Sequence, residues 1–465
     1  MNALHPSSVA APRAVVDSRR FRLVGLLCVA FCGLPTAWLL AAGRLTLAAN
    51  WFWVALALML VGLMVAGKHQ LLLSMLLGVG PFIGLLRGYG IAFYNATLAT
   101  LLMVLVFYFV RSPQALRDLC RQYRGVLWMG AAVGGYYGLS LLATGDYTRN
   151  LRMFELWLAV ICLLVAGRSR AVLGTGLLGF VIASAAIGLA MMPHNASIGR
   201  LGMIVIEGAS IGNPAQLGMA LVMGFLVLIV DHGQWLNWPG SRIWRWVLFA
   251  LTATMLALTT SRVAWLVACV GLLLVVVAGQ RQRLGILLAA ATAVLLLFGA
   301  LQTPFGPALQ RGLDRTFGSE RTLRNRTSGR SDQWTVAYQA SIASWERVAW
   351  GYGPGRGSEV YARVSQEVPD VKYGVGERVS LHSLFMQVMV EAGLLGLIPM
   401  VVALLYLGYR VIQWRWRTGL MLPVVLLFGY FLSICTVAGT GVVDGMMLGF
   451  AFFTTARGRL PRGTL

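Results

Sequence analysis

Residues 246–279 read WVLFALTATMLALTTSRVAWLVACVGLLLVVVAG, an apolar run broken once, at Thr259-Thr260-Ser261-Arg262. As a single helix this stretch would be about 50 Å long, at about 1.5 Å per residue. The hydrocarbon core of a bilayer is only about 30 Å thick. Broken at the polar tetrad, the run becomes two crossings, and Arg262 falls at the turn between them. The break also keeps every later basic loop on the same side as the earlier ones. This stretch therefore decides the fold: a helical chain that crosses a membrane many times.

Similar apolar blocks lie near 23–42, 51–66, 71–87, 91–110, 125–143, 151–166, 171–191, 214–230, 284–303, 384–409, 420–435 and 442–456. With the two halves of 246–279 they make fourteen blocks. A spanning helix needs about 20 apolar residues. Several blocks are shorter, so twelve to fourteen spans are expected, some of them half-spans or re-entrant. The blocks are continuous rather than alternating, which favours helices over a transmembrane barrel. Of the 465 residues 58% are hydrophobic and 12% charged, with mean hydropathy +0.75. Soluble domains run at about 45–50% apolar and about 25% charged. An ordinary soluble enzyme, a disordered chain, a coiled coil and a collagen are all excluded.

The net charge is +22, and Lys68 and Lys372 are the only lysines among 38 basic residues. In a soluble protein such charge would suggest nucleic acid. In a membrane protein basic residues gather in cytoplasmic loops and fix orientation. Arg111, Arg117, Arg121 and Arg124 lie between two blocks, as do Arg168 with Arg170, Arg242 with Arg245, Arg281 with Arg283, and Arg410, Arg415 and Arg417. Arg457, Arg459 and Arg462 close the chain. All fall on one side, which reads as cytoplasm, with both termini inside and no nucleic acid as partner. Arg13, Arg19, Arg20 and Arg22 precede the first block, which is long and lacks a small-x-small cleavage site. That segment reads as a retained signal anchor. Cys28, Cys32, Cys120, Cys162, Cys269 and Cys435 lie in or beside apolar blocks and form no CxxC pair. They suggest neither zinc nor a disulfide framework.

This reading divides the chain into a cytoplasmic tail (1–22), transmembrane helices (23–303), a large outer loop (304–380), further transmembrane helices (381–456) and a cytoplasmic tail (457–465). The outer side also holds a smaller segment, 192–213. A loop as long as 304–380 is often functional. Trp334, Ala337, Tyr338, Ser341 and Trp345 recur at three- or four-residue spacing, so a small helical cap is expected there.

Five positions stand out chemically. Arg262 lies within an apolar run, where a charge is costly and tends to be functional; the alternative is a snorkelling arginine at the interface. A guanidinium suits bidentate binding of phosphate oxygens. Arg200 and Glu207 are the charged residues of 192–213. Asn213-Pro214 reads as an N-cap followed by a first helical residue, with Gln216 in the first turn. His382 opens a helix and could serve as general base or acid; it could equally be a satisfied structural histidine. Glu391 reads as a structural pairing residue or as a ligand for a polar group. Gly351-Tyr352-Gly353-Pro354-Gly355 reads as a tight turn, because it lacks GxGxxG spacing and a preceding strand. No HExxH and no GxSxG occurs, so neither a metal site nor a hydrolase elbow is indicated.

In order along the chain stand Ser261-Arg262, Gly329-Arg330 with Trp334, Gly351 to Gly355, His382, and Glu391-Ala-Gly393-Leu-Leu-Gly396. This series resembles the O-antigen ligase and O-antigen polymerase superfamily of bacterial envelope glycosyltransferases. Arg200 and Asn213-Pro214 are similar to that family as well. The common family form has His-Asn at the helix start, where this chain has His382-Ser383. The resemblance covers about the C-terminal two thirds.

The resemblance implies an all-α polytopic fold like that of the GT-C glycosyltransferase class. It implies transfer of a glycan from undecaprenyl diphosphate to a lipid A–core sugar, at the periplasmic face of a bacterial inner membrane. No cofactor and no metal would be needed. Arg262 and Arg200 would stabilise the leaving diphosphate. His382 would take the acceptor proton or hydrogen-bond the diphosphate. Asn213, Gln216, Ser261, Arg330 and Asp332 would bind substrate or build the cap. A polymerase or a protein O-oligosaccharyltransferase shares these motifs, and a lipid or glycan transporter is a remoter alternative.

Overall fold

A computed structural model describes residues 18–86, 96–144, 147–198, 201–202, 204–206, 209–211, 213–230, 242–277, 330–369, 371, 373–379, 381–418, 421–436 and 442–452, with single positions between 295 and 314. The first half comprises α1 (Ser18–Ala41), α2 (Leu45–Val65), α3 (His69–Gly78), α4 (Gly80–Leu86), α5 (Ala96–Arg111), α6 (Pro113–Gln122), α7 (Arg124–Thr144), α8 (Tyr147–Ala166) and α9 (Arg170–Ile198). A hairpin of β1 (Ile204–Ile206) and β2 (Ala209–Ile211) follows, then α10 (Pro214–Val230), α11 (Arg242–Leu258) and α12 (Arg262–Val277). A cap of α13 (Arg330–Ile342), α14 (Trp345–Trp350) and α15 (Gly357–Val364) leads to α16 (Leu384–Thr418), α17 (Leu422–Thr436) and α18 (Val442–Phe452).

The architecture is that of an all-α polytopic membrane protein. The one sheet among the described residues is the antiparallel hairpin, in which Val205 pairs with Ser210. Four helices are long and apolar enough to cross a membrane alone, and six qualify if each bent pair counts as one span. The difference from twelve to fourteen expected spans lies in apolar helices of 10–17 residues, namely α10, α11, α12, α17 and α18. These reach less than a full span, and α10 and α18 are buried along nearly their whole length. Block 284–303 lies largely outside the described residues.

Three local features differ from the sequence reading. The block 71–87 is two helices bent by 54°, α3 and α4. The arginine-rich stretch after α5 is not a plain loop. Pro113 at the first turn starts α6, which leaves α5 at 107° and buries Ala115 and Leu119. Finally, α9 runs through Pro193 to Ile198, into the segment read as an outer loop.

α9 is the central post of the first half, packed by α1, α3, α10 and α11. In the second half α17 stands between α12 and α16 and packs on both, while α8 packs on α18. This arrangement carries the starts of α10, α12 and α16 to one end of the bundle.

Candidate functional site

The arginine turn is built by its own polar residues. α11 stops at Leu258, and Thr259 Oγ1 donates back to the Leu256 carbonyl at 2.7 Å. The Ser261 N–H donates to Thr259 Oγ1 at 3.3 Å, and Trp265 Nε1 donates to Leu256 O at 3.1 Å. Thr260 takes a left-handed backbone, φ 48°. Thr259, Thr260 and Ser261 are buried, and Arg262 is half-buried as the first residue of α12. Ser261 seats the turn on α10: a Cβ on Gly218 would lie 3.1 Å from Ser261 Cβ. The expected break at the polar tetrad is therefore the observed one.

The start of α10 belongs to the same unit. Asn213 Oδ1 accepts from the N–H of Ala215 at 2.9 Å and of Gln216 at 3.4 Å, so Asn213 is the N-cap and Pro214 the first helical residue, as read. Gln216 is exposed. The Leu201 N–H donates to Leu258 O at 3.0 Å. Gly202, φ 97°, lies so close to Pro214 that a Cβ would sit 2.8 Å from its Cα. Arg200 and Gly329 lie outside the described residues.

His382 also has a left-handed backbone, φ 47°, and is half-buried between buried Leu381 and Ser383. Ser383, rather than His382, caps α16: its carbonyl accepts from the Gln387 N–H at 2.9 Å, and the Met386 N–H approaches its Oγ at 3.5 Å. The imidazole thus stands just outside the helix it introduces.

Contacts on α17 relate the starts of α12 and α16. A Cβ on Gly429 would touch Val267 at 3.1 Å, and one on Gly271 would touch Val425 at 3.1 Å. Phe385 meets Phe431 edge-on, with ring centroids 5.9 Å apart. Carried outward along α12 at about 1.5 Å per residue, the first register brings Arg262 to the level of Ile434, in the last turn of α17; the second sets the start of α16 beside Phe431, with His382 just before that helix.

The cap is held by Asp332 and Glu391. Asp332 is buried near the start of α13, two residues after half-buried Arg330, and its Oδ2 accepts from the Tyr373 N–H at 3.3 Å. The Tyr361 hydroxyl donates to Tyr373 O. Burial, with Asp332 and Tyr373 alongside, pushes the Tyr361 phenol up to about 12, so it remains a donor. The expected cap helix exists, but its buried face is Gln333, Val336, Ala337, Ala340 and Ser341. Tyr338 and Trp345 point outward, with 58% and 76% exposure.

Glu391 is fully buried, and its carboxylate accepts from the Gly357 N–H and from Gln387 Nε2, each at 3.2 Å. Both of these donors to Glu391 are neutral groups. Its carbonyl accepts from the Gly353 N–H at 2.9 Å and from the Tyr136 hydroxyl of α7 at 3.2 Å. The glycine motif is a tight turn, with positive φ at Gly351, Gly353 and Gly355. It docks on a kink in α16 at Gly393, φ 59°. A Cβ on Gly393 would lie 2.4 Å from the Ala349 carbonyl oxygen, and one on Gly351 would lie 2.5 Å from the Glu391 carbonyl carbon. Two glycine motifs far apart in sequence are thus the two halves of one joint.

The sequence reading missed an apolar cleft of about 490 Å³ between α7 and α16. Tyr136, Trp157, Trp350, Leu384, Val388 and Glu391 are among its walls. It begins at Leu384, two residues beyond His382. Alternation within α7 gives no hint of it, because a cleft depends on how separate helices are placed.

No curated protein matches the chain. Residues 247–401 match the O-antigen ligase family. The match begins inside α11, contains the arginine turn and the whole cap, and ends within α16, so it encloses Arg262, Asp332, His382 and Glu391. That family's activity is glycosyl transfer of the ligase or polymerase type, from a polysaccharide donor to a lipid acceptor in general. Over residues 247–401, a third of its length, the chain is thus similar to the O-antigen ligase family, and its several long apolar helices are those of a multi-pass membrane protein.

Proposed function

We propose that the protein is an O-antigen ligase that moves a polysaccharide from undecaprenyl diphosphate to a sugar of lipid A–core, at the periplasmic face of the inner membrane. The observation that supports this reading is that Arg262 and His382, each in or beside a strained backbone, stand at the starts of two helices, α12 and α16, that both pack on α17. Strain of this kind is retained where surrounding structure enforces it, and it clusters at active sites.

The acceptor hydroxyl oxygen attacks the anomeric carbon and forms the new glycosidic bond. The bond from that carbon to the diphosphate oxygen breaks, and its electron pair leaves with the diphosphate. His382 takes the acceptor proton. The leaving charge needs fixed cations already in place, a task for Arg262 and for Arg200, which immediately precedes Leu201 in sequence. Asn213, Gln216 and Ser261 shape the floor beneath the diphosphate. Arg330 faces the acceptor, and Asp332 holds the cap that presents it. One displacement inverts the anomeric centre, and no metal takes part. The polyprenyl tail lies in the cleft that begins at Leu384, beside the diphosphate.

The test is acceptor choice. Purified protein receives undecaprenyl-diphosphate glycan alone or together with lipid A–core. Glycan on the core is the expected product. Longer glycan still on undecaprenyl diphosphate would make the protein a polymerase instead.

A further inference from the structure

The cleft between α7 and α16 does not end in the middle of the bundle. A second cavity of about 430 Å³ continues it, sharing Met129, Ala403, Leu407 and Phe452 with the first. Its character changes at the far end, where Gln122, Arg124 and Tyr406 form the rim. The walls toward His382 are apolar apart from Glu391 and tyrosine hydroxyls, whereas this end carries a cation.

The charge around the rim has one sign. Arg117 and Arg121 on α6 and Arg124 at the start of α7 are exposed. The single acid of that stretch, Asp118, is bridged to Arg168. α6 leaves α5 at 107°, so if α5 crosses the bilayer, α6 lies along its surface. The Arg111 guanidinium stacks over Phe107 at 5.5 Å, as an arginine does at an apolar–polar boundary. By the positive-inside rule this is the cytoplasmic end.

We propose that this inner end is a binding site for an anionic glycerophospholipid of the cytoplasmic leaflet. The headgroup phosphate sits on Arg124 with Gln122 and Tyr406, and one acyl chain enters the cleft between Met129, Ala403 and Leu407. Basic pockets between transmembrane helices on the cytoplasmic side suit such headgroups. The donor's single polyprenyl tail, entering from the outer face, would bring no anion to Arg124. The lipid would fill the lower part of a cleft whose two long walls, α7 and α16, are joined by the Tyr136–Glu391 hydrogen bond, and so would brace the wall that leads to His382.

The experiment is native mass spectrometry of the full-length protein in mild detergent, with dioleoyl phosphatidylglycerol or dioleoyl phosphatidylethanolamine as probe. Wild type is expected to retain phosphatidylglycerol in preference to phosphatidylethanolamine. Arg124→Ala is expected to lower that retention about fivefold, the worth of one cation near an anionic lipid surface. Arg124→Lys is expected to keep it. Ala403→Trp, which fills the cleft and leaves the charge, is expected to remove it, and this variant decides the matter if Arg124→Ala does not fold. Equal retention of both lipids would overturn the proposal, as would wild-type retention in both Arg124→Ala and Ala403→Trp. So would a polyprenyl phosphate occupying the site regardless of Arg124. The same measurement on His382→Ala separates the two readings, since lipid retention there does not depend on glycan transfer.

Discussion

Thr260 and His382 share a left-handed backbone, φ 48° and 47°, that no other non-glycine residue among those described adopts. One precedes Ser261-Arg262 and the other opens onto Ser383, the cap of α16. Holding such a residue costs about 1–3 kcal/mol, and here both costs fall at the starts of helices that pack on α17. Thr260→Gly relieves the strain at the arginine turn. A melting temperature raised by a few degrees is expected, read by thermal unfolding in detergent. A clear drop would mean that packing by Thr260, not strain, governs the turn.

Arg262 separates charge from geometry. Arg262→Ala is expected to lower kcat at saturating donor by about 100-fold or more, in line with the loss of one preorganised donor to a developing negative charge. Arg262→Lys keeps the charge and loses the planar fork, so it should recover only part of the rate. Full activity in the lysine variant would show that a point charge suffices.

Glu391 joins the cap to α16 through Gly357 and Gln387. Glu391→Ala leaves a buried N–H without its acceptor and is expected to cost about 1–3 kcal/mol. Glu391→Gln can still accept from Gly357 and should lose less. Denaturant or thermal melts of the three proteins give the order wild type, Gln, Ala; the reverse order of the two variants would show that the negative charge there is unfavourable.

Gly393→Ala is expected to be more severe than either. Its Cβ would fall 2.4 Å from the Ala349 carbonyl oxygen on a backbone with φ 59°. The kink and the Ala349–Trp350 backbone cannot both remain. Protease digestion should therefore cut the cap of this variant faster than that of wild type, and equal protection would contradict the close joint.

Removing divalent metal tests the cation assignment from another side. EDTA treatment is expected to leave transfer by the purified protein unchanged. Loss restored by Mg²⁺ or Mn²⁺ would give the diphosphate charge to a metal rather than to Arg262 and Arg200.

Local rules carried the sequence reading where they applied. Asn213-Pro214 marked the start of α10, and its observed bounds are those read. The length of 246–279 forced a break at Thr259–Arg262. Arg410, Arg415 and Arg417 cut short the reading of α16, yet arginine is a good helix former, and the helix continues to Thr418. The cap helix was legible but its face was not: the aromatic spacing marked Tyr338 and Trp345, whereas small residues such as Ala337 and Ala340 make the contact. The kink at Gly393 needs the distant backbone of Ala349, and the cleft needs the relative placement of α7 and α16, far apart in sequence. Neither has a local signal. Gln387, four residues before Glu391, was the available clue to a partner on the same helix face.

The most direct test follows a single turnover of undecaprenyl-diphosphate glycan with lipid A–core, in wild type and in His382→Ala, after both are shown to insert and fold alike. Glycan is expected on the core with wild type and to be absent, or slowed by at least about 100-fold, with the alanine variant. Transfer at the wild-type rate by His382→Ala would contradict the assignment of this histidine as the group that takes the acceptor proton.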